Sequence, residues 1–229
     1  MKTALLICDH VDEDLLHIQG AYADMFKELL SGMGVEVFYV CDGRFPMSVS
    51  DYDAYVVNGS RRSVYEKEGW IEQLKGFVRE LYFHKKKYVG VCFGHQLLAS
   101  ALGGQVSKAE AGWQVGVHHF TIVKKEKWMA PYESGLRLLM MCQDQVERLP
   151  QGAVVLATTP TCPVGMFRVG ERMLGIQAHP EFSKEYDRAL MELRQHRLGA
   201  DVFRKGMESL SREVDSALMG GWIRAFLRQ

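Results

Sequence analysis

The sequence predicts an α/β fold, with a mostly parallel central sheet, helices on both faces and mixed strands in the second half. Two observations carry this expectation. In the first half, short apolar runs alternate with longer stretches of helical periodicity, the β-α-β-α order of a covered parallel sheet. In the middle, strand-like runs follow one another with only turns between them. Residues 4–8 read as a buried first strand. Ile18, Tyr22, Met25, Phe26, Leu29 and Leu30 recur at helical spacing, and Gly32 and Gly34 end that helix. Residues 35–40 and 54–57 give the second and third strands. Residues 70–82 are helical, with Ile71, Leu74, Phe77, Val78 and Leu81 on one side. Residues 88–91 form a fourth strand that runs directly into Cys92 and a helical stretch over 94–102. Residues 115–123, 136–141, 154–158, 166–169 and 173–177 are expected as mixed or antiparallel additions to the same sheet. From Ser183 onward the chain is helical, with a break near Leu198-Gly199-Ala200. There is no Pro/Ser-rich linker, repeat or low-complexity block, so residues 1–229 are expected to form a single domain.

Composition narrows the function classes. Apolar residues make up 47% of the 229 and charged residues 24%, which excludes an intrinsically disordered chain. Lys+Arg and Asp+Glu are both 28, so the basic excess of a phosphate-tracking protein is missing and no nucleic acid is expected. No apolar run approaches the ~20 residues that span a bilayer, so no membrane is expected either. The opening Met1–Cys8 resembles a leader for a few residues, but Asp9, Asp12, Glu13 and Asp14 interrupt it. A first strand is the better reading, and the mature chain is expected to begin here. The five cysteines are odd in number and contain no C-x-x-C pair. Neither disulfides nor a structural zinc site is expected, and the expected compartment is the reducing cytoplasm.

Two segments carry chemistry. In Gly90-Val91-Cys92-Phe93-Gly94-His95-Gln96 a strand delivers a cysteine and a helix leaves at once. Glycines on both sides suit the sharp turn of a nucleophile elbow, and a helix N-terminus favours thiolate. In Gly175-Ile176-Gln177-Ala178-His179-Pro180-Glu181, proline holds His179 out of helix, and residues two apart on an extended segment project to the same side. Glu181 can then orient His179 while the other ring nitrogen faces a thiol. Taken singly, each segment fits a buried cysteine or a surface histidine as well.

Together the two motifs resemble the class I (triad) glutamine amidotransferases. The chain is most similar to stand-alone members of the guanylate-synthase glutaminase type and to the γ-glutamyl peptidases. The resemblance covers nearly the whole sequence. It includes Tyr22, Asp42-Gly43-Arg44-Phe45-Pro46, Asn58-Gly59-Ser60, Ser63-Val64-Tyr65, Trp70-Ile71 and Gln143-Asp144-Gln145-Val146. It implies a flavodoxin-like amidotransferase fold, with Cys92 as nucleophile, His179 as general base and acid, and Glu181 as the orienting carboxylate. It also implies an oxyanion hole from the backbone N–H groups of Gly59 and Phe93, and a substrate-holding role for Gln96. Ser60 and Trp113 stand where relatives place substrate-facing loops. Two departures are visible. The usual Gly-Gly-Pro turn reads Asn58-Gly59-Ser60, and Cys142 stands where many relatives carry His.

Arg61 and Arg62 follow the oxyanion turn, where pairing with a substrate carboxylate and a plain surface role stand equally. The acidic loop Asp9–Asp14 reads as solvated. His118 and His119 point to opposite faces of a strand, so no metal pair is expected there. No phosphate-binding glycine motif occurs, and no cofactor is implied. The expected reaction is hydrolysis of a γ-glutamyl amide through a thioester. The default substrate is glutamine, with ammonia passing to a synthetase or acceptor enzyme on a separate polypeptide. One rival is a γ-glutamyl peptidase acting on glutathione-like conjugates or γ-glutamylated intermediates. The other is a non-catalytic regulatory subunit of the same fold, which the intact Cys-His-Glu set disfavours.

Overall fold

A computed structural model describes all residues from 1 to 229. The first half contains β1 (Lys2–Ile7), α1 (Leu16–Gln19), α2 (Tyr22–Leu29), β2 (Gly34–Tyr39), β3 (Ala54–Val57), α3 (Gly69–Phe83), β4 (Lys87–Val91) and α4 (Phe93–Ala101). The strands β5 (Gln105–Lys108), β6 (Gln114–Ile122), β7 (Gly135–Cys142), β8 (Asp144–Arg148), β9 (Ala153–Thr159), β10 (Cys162–Val169) and β11 (Met173–Ile176) follow. The chain closes with α5 (Lys184–Leu193), α6 (Gln195–Leu198), α7 (Ala200–Ser209) and α8 (Ser216–Arg228).

Nine strands form one sheet in the order β2-β1-β3-β4-β11-β10-β9-β6-β7. The first five run parallel, and β10, β9, β6 and β7 continue it antiparallel. The fully apolar runs became the central parallel strands because both their faces are covered. In β1, Leu5 and Ile7 pack into one core layer while Ala4, Leu6 and the adjoining Cys8 pack into the other. The register pairs Ile176 of β11 with Val91 of β4, so both strands end side by side.

Two details differ from the sequence expectation. The single helix expected over 18–30 is two, because Gly20 turns the chain at φ 75°. The Asp24 carboxylate then accepts from the Ala21 N–H at 3.0 Å and starts α2 afresh. The five strands expected in the second half all join the main sheet, but two more strands lie outside it. β5 and β8 pair antiparallel as a separate two-stranded ribbon, hidden in the sequence because its residues are largely polar and half-exposed. All five cysteines are unpaired, and no helix is long and apolar enough to cross a membrane.

The crossing of β4 and α4 has no room for side chains. A Cβ on Gly90 would lie 2.3 Å from the Gly94 carbonyl, and one on Gly94 would lie 2.4 Å from the Val57 oxygen. Gly90→Ala should therefore cost about 3 kcal/mol or more, because the obstructing atoms are backbone and cannot rotate away. Denaturant unfolding of the variant checks this, and a loss near zero contradicts it.

Candidate active site

The strand-helix junction holds Cys92 at φ 50°, ψ −99°. Only Lys85 among the other non-glycine residues has positive φ. Such a backbone is strained and persists because its surroundings fix it. The Cys92 N–H donates to the Ile176 carbonyl at 2.8 Å, and the Gly94 N–H donates to the Asn58 carbonyl at 3.3 Å. The Tyr88 hydroxyl donates to the Gly94 carbonyl at 2.7 Å.

β11 leads to His179, whose Nδ1 meets Glu181 Oε1 at 2.7 Å. Both side chains are at most 5% exposed. The imidazole is stacked on Phe182, with centroids 4.1 Å apart and planes within 5°. Burial disfavours the charged ring, but the Glu181 carboxylate and the Cys92 sulfur outweigh it and raise His179 to about 10. The His-Pro-Glu spacing does bring carboxylate and imidazole together, but through a turn at Pro180–Glu181, where the Phe182 N–H reaches back to the His179 carbonyl at 3.5 Å, rather than through the extended segment expected.

Gly59 joins this group. A Cβ there would lie 2.9 Å from His179 Cε1 and 3.6 Å from Cys92 Cβ, so the turn packs closely against both the imidazole and the cysteine. The Gly59 N–H makes no hydrogen bond within the protein. As the first residue of α4, Phe93 has no i−4 carbonyl of its own helix for its N–H.

Beside Cys92 opens a cleft of about 240 Å³ to which Ser60, Arg61, Gln96 and Trp113 all contribute. Their tasks there differ. The Gln96 amide donates to the Asp144 carbonyl at 2.8 Å and to Gln177 at 3.2 Å, fixing the cleft wall. Asp144 in turn accepts from the Ser63 and Tyr65 hydroxyls, which joins two of the short motifs seen in the sequence. Arg61 is not a free fork. Its donors go to Asp9 at 2.9 Å, Asp12 at 3.0 Å and the His10 carbonyl at 2.8 Å, so the acidic loop is tied to the turn after β3 rather than simply solvated. Arg62 pairs with Glu66 and Glu68. His118 is half-buried with its Nε2 3.1 Å from the Val115 carbonyl, while His119 is exposed, as opposite faces require.

The sequence carries no signal for several neighbours. Gln19 bridges the loop that follows His179, donating to the Glu181 carbonyl at 2.8 Å and accepting from the Ser183 N–H at 2.9 Å. Lys108, Arg194 and Arg197 also line the cleft, and Arg197 lies over the Trp113 ring at 5.6 Å. Asp187 is fully buried, and burial pushes its carboxyl up to about 7 against the charges of His179 and Arg194.

The family model Glutamine amidotransferase class-I matches residues 27–196, and the chain belongs to that family. γ-Glutamyl peptidase 3 of Arabidopsis thaliana is 32% identical over 191 residues, covering 79% of this chain and 76% of the relative. One subunit of the glutamine-hydrolyzing GMP synthase of Sulfolobus acidocaldarius is 26% identical, covering 73% of this chain and 87% of the relative. In fold, the chain is similar to a glutamine amidotransferase from Thermotoga maritima with a TM-score of 0.79 at 22% identity. The match covers 100% of this chain and 99% of that one.

Two outcomes follow from the geometry. Gly59→Ala should stay folded yet lose on the order of 10²-fold in turnover, because the new methyl displaces the His179 ring. Circular dichroism and glutamate-release kinetics check it together. The raised His179 ionisation stabilises the fold fully below the ordinary histidine value of 6.5 and is lost as pH climbs through about 10. The alkaline limb of kcat/KM should lie near that upper value. Glu181→Gln should move it down by at least about one pH unit, since the ring keeps its burial but loses the carboxylate.

Proposed function

We propose that this protein hydrolyses γ-glutamyl amide bonds through a thioester on Cys92, as one domain acting without a cofactor. The observation that carries the reading is a cysteine on a strained strand-helix turn with a buried His179–Glu181 pair beside it. The Cys92 thiol gives its proton to His179 as its sulfur attacks the γ-carbonyl carbon, and the oxyanion meets the N–H groups of Gly59 and Phe93. His179 gives its proton to the departing amine as the C–N bond breaks. Water then adds to the thioester and yields its proton to His179. The C–S bond breaks, glutamate leaves and the thiol is restored. Glu181 orients the imidazole throughout. The amidotransferase and peptidase relatives support this bond type.

The charge around the cleft supports a γ-glutamyl peptide or conjugate carrying a second carboxylate as the preferred substrate. Arg61 and Arg62 are neutralised by their own acidic partners, whereas Lys108, Arg194 and Arg197 face the cleft outside any ion pair. Glutamine, with ammonia passed to a separate synthetase, is the second reading. Its support is the similarity to part of a glutamine-hydrolyzing GMP synthase.

A panel of glutamine, γ-glutamyl peptides and glutathione conjugates, assayed for glutamate without ATP or partner, separates the two. Peptide or conjugate turnover should exceed glutamine turnover, and Arg197→Ala should raise KM for the peptide by about tenfold while leaving glutamine unchanged. Cys92→Ala should abolish release of glutamate, and a diazo-ketone norleucine should label Cys92 alone among the five cysteines. Turnover of glutamine only, and only with a synthetase present, overturns the peptide reading.

A further inference from the structure

A second group of reactive side chains lies on the same edge of the sheet, away from the cleft. His10 follows the carboxyl end of β1, and Cys41 and Asp42 follow that of the neighbouring β2, where Ile7 and Tyr39 are in register. Three ligand atoms of different chemistry meet there. His10 Nε2 is 3.0 Å from Asp42 Oδ1 and 3.8 Å from Cys41 Sγ, and Cys41 Sγ is 3.7 Å from the same Asp42 oxygen. The imidazole is held by stacking on Tyr39, with centroids 5.2 Å apart and planes within 9°.

We propose that His10, Cys41 and Asp42 form a binding site for one divalent cation of the zinc class. Zinc bonds of about 2.3 Å to sulfur and 2.0–2.2 Å to nitrogen and oxygen, at tetrahedral angles, set N···S and S···O near 3.6 Å and N···O near 3.4 Å. The observed triangle of 3.8, 3.7 and 3.0 Å closes onto such an ion with shifts of a few tenths of an ångström. Without an ion, a His–Asp pair holds the shortest side of this triangle and the Cys41 thiol donates to Asp42 Oδ1, so the three ligand atoms are already gathered. The mixture of imidazole, thiolate and carboxylate selects zinc or cobalt over magnesium and calcium, which prefer all-oxygen shells. On coordination the Cys41 thiol releases its proton to solvent.

Three protein ligands leave one position for water. With His10 58% and Asp42 41% exposed, the ion is exchangeable rather than structural. The absence of C-x-x-C conceals this site, since its ligands come from two strands and are joined only by the parallel register. It also touches the oxyanion turn indirectly, because the His10 carbonyl accepts from Arg61 and the adjacent Asp9 holds the same guanidinium.

The test uses the full chain carrying Cys92→Ala, which removes the other sulfur-imidazole pair, titrated with cobalt(II). One equivalent should produce the visible bands of tetrahedral cobalt and the near-ultraviolet thiolate charge-transfer band, and zinc should displace it. Adding Cys41→Ser should abolish the charge-transfer band and weaken zinc by more than about 100-fold, beyond the 10–100-fold typical of an outer partner. Zinc should raise the melting temperature of the parent but not of His10→Asn, with the metal-free proteins melting alike. A missing charge-transfer band, or one that survives Cys41→Ser, overturns the site. Both readouts are independent of γ-glutamyl hydrolysis.

Discussion

The backbone at Cys92 is the constraint on which the rest of the site depends. A non-glycine residue is held at φ 50° because β4 and α4 cross at backbone contact, with Gly90 and Gly94 at the crossing. The Cys92 N–H is fixed by the end of β11, and the Val91–Ile176 register brings His179 toward Cys92. Asn58 accepts from Gly94, which carries the Gly59 turn to the same point. Three strand ends therefore converge on one sulfur, and each depends on the parallel pairing of its neighbour.

Electrostatics divide the site into two regions although the whole chain is neutral. Around the imidazole, burial and Glu181 set up a charged pair shielded from water. At the cleft mouth, Arg61 is consumed by Asp9 and Asp12, leaving the cationic surface to Lys108 and to the α5–α6 region. Net charge does not reveal such a field, because it arises from where charges are paired and where they are not.

Much of this was legible in the sequence. Both-face burial makes the central parallel strands apolar, and the glycine-flanked cysteine and His-Pro-Glu were visible as two local motifs whose joint meaning came from the family resemblance. What stayed hidden depends on contacts between distant positions or on polar segments. The β5–β8 ribbon has no apolar alternation strong enough to announce it. Arg61 looks free in the sequence because its acidic partners lie some fifty residues earlier. The break at Gly20 was visible as a residue type but not as a turn, since the flanking apolar spacing continues across it.

The Gln19 bridge has a consequence for the order in which the chain becomes competent. Its amide grips the loop on either side of Phe182 as a neighbouring strand would, joining a short N-terminal helix to residues more than 160 positions later. Cys92, the strand-helix turn that carries it and the Gly59 turn all leave the ribosome well before that loop. Until the loop arrives and is latched, the thiol has neither imidazole nor carboxylate beside it. In the growing polypeptide Cys92 thus stays apart from His179 and Glu181 until the end of synthesis, and assembly of the fold is what brings the three together.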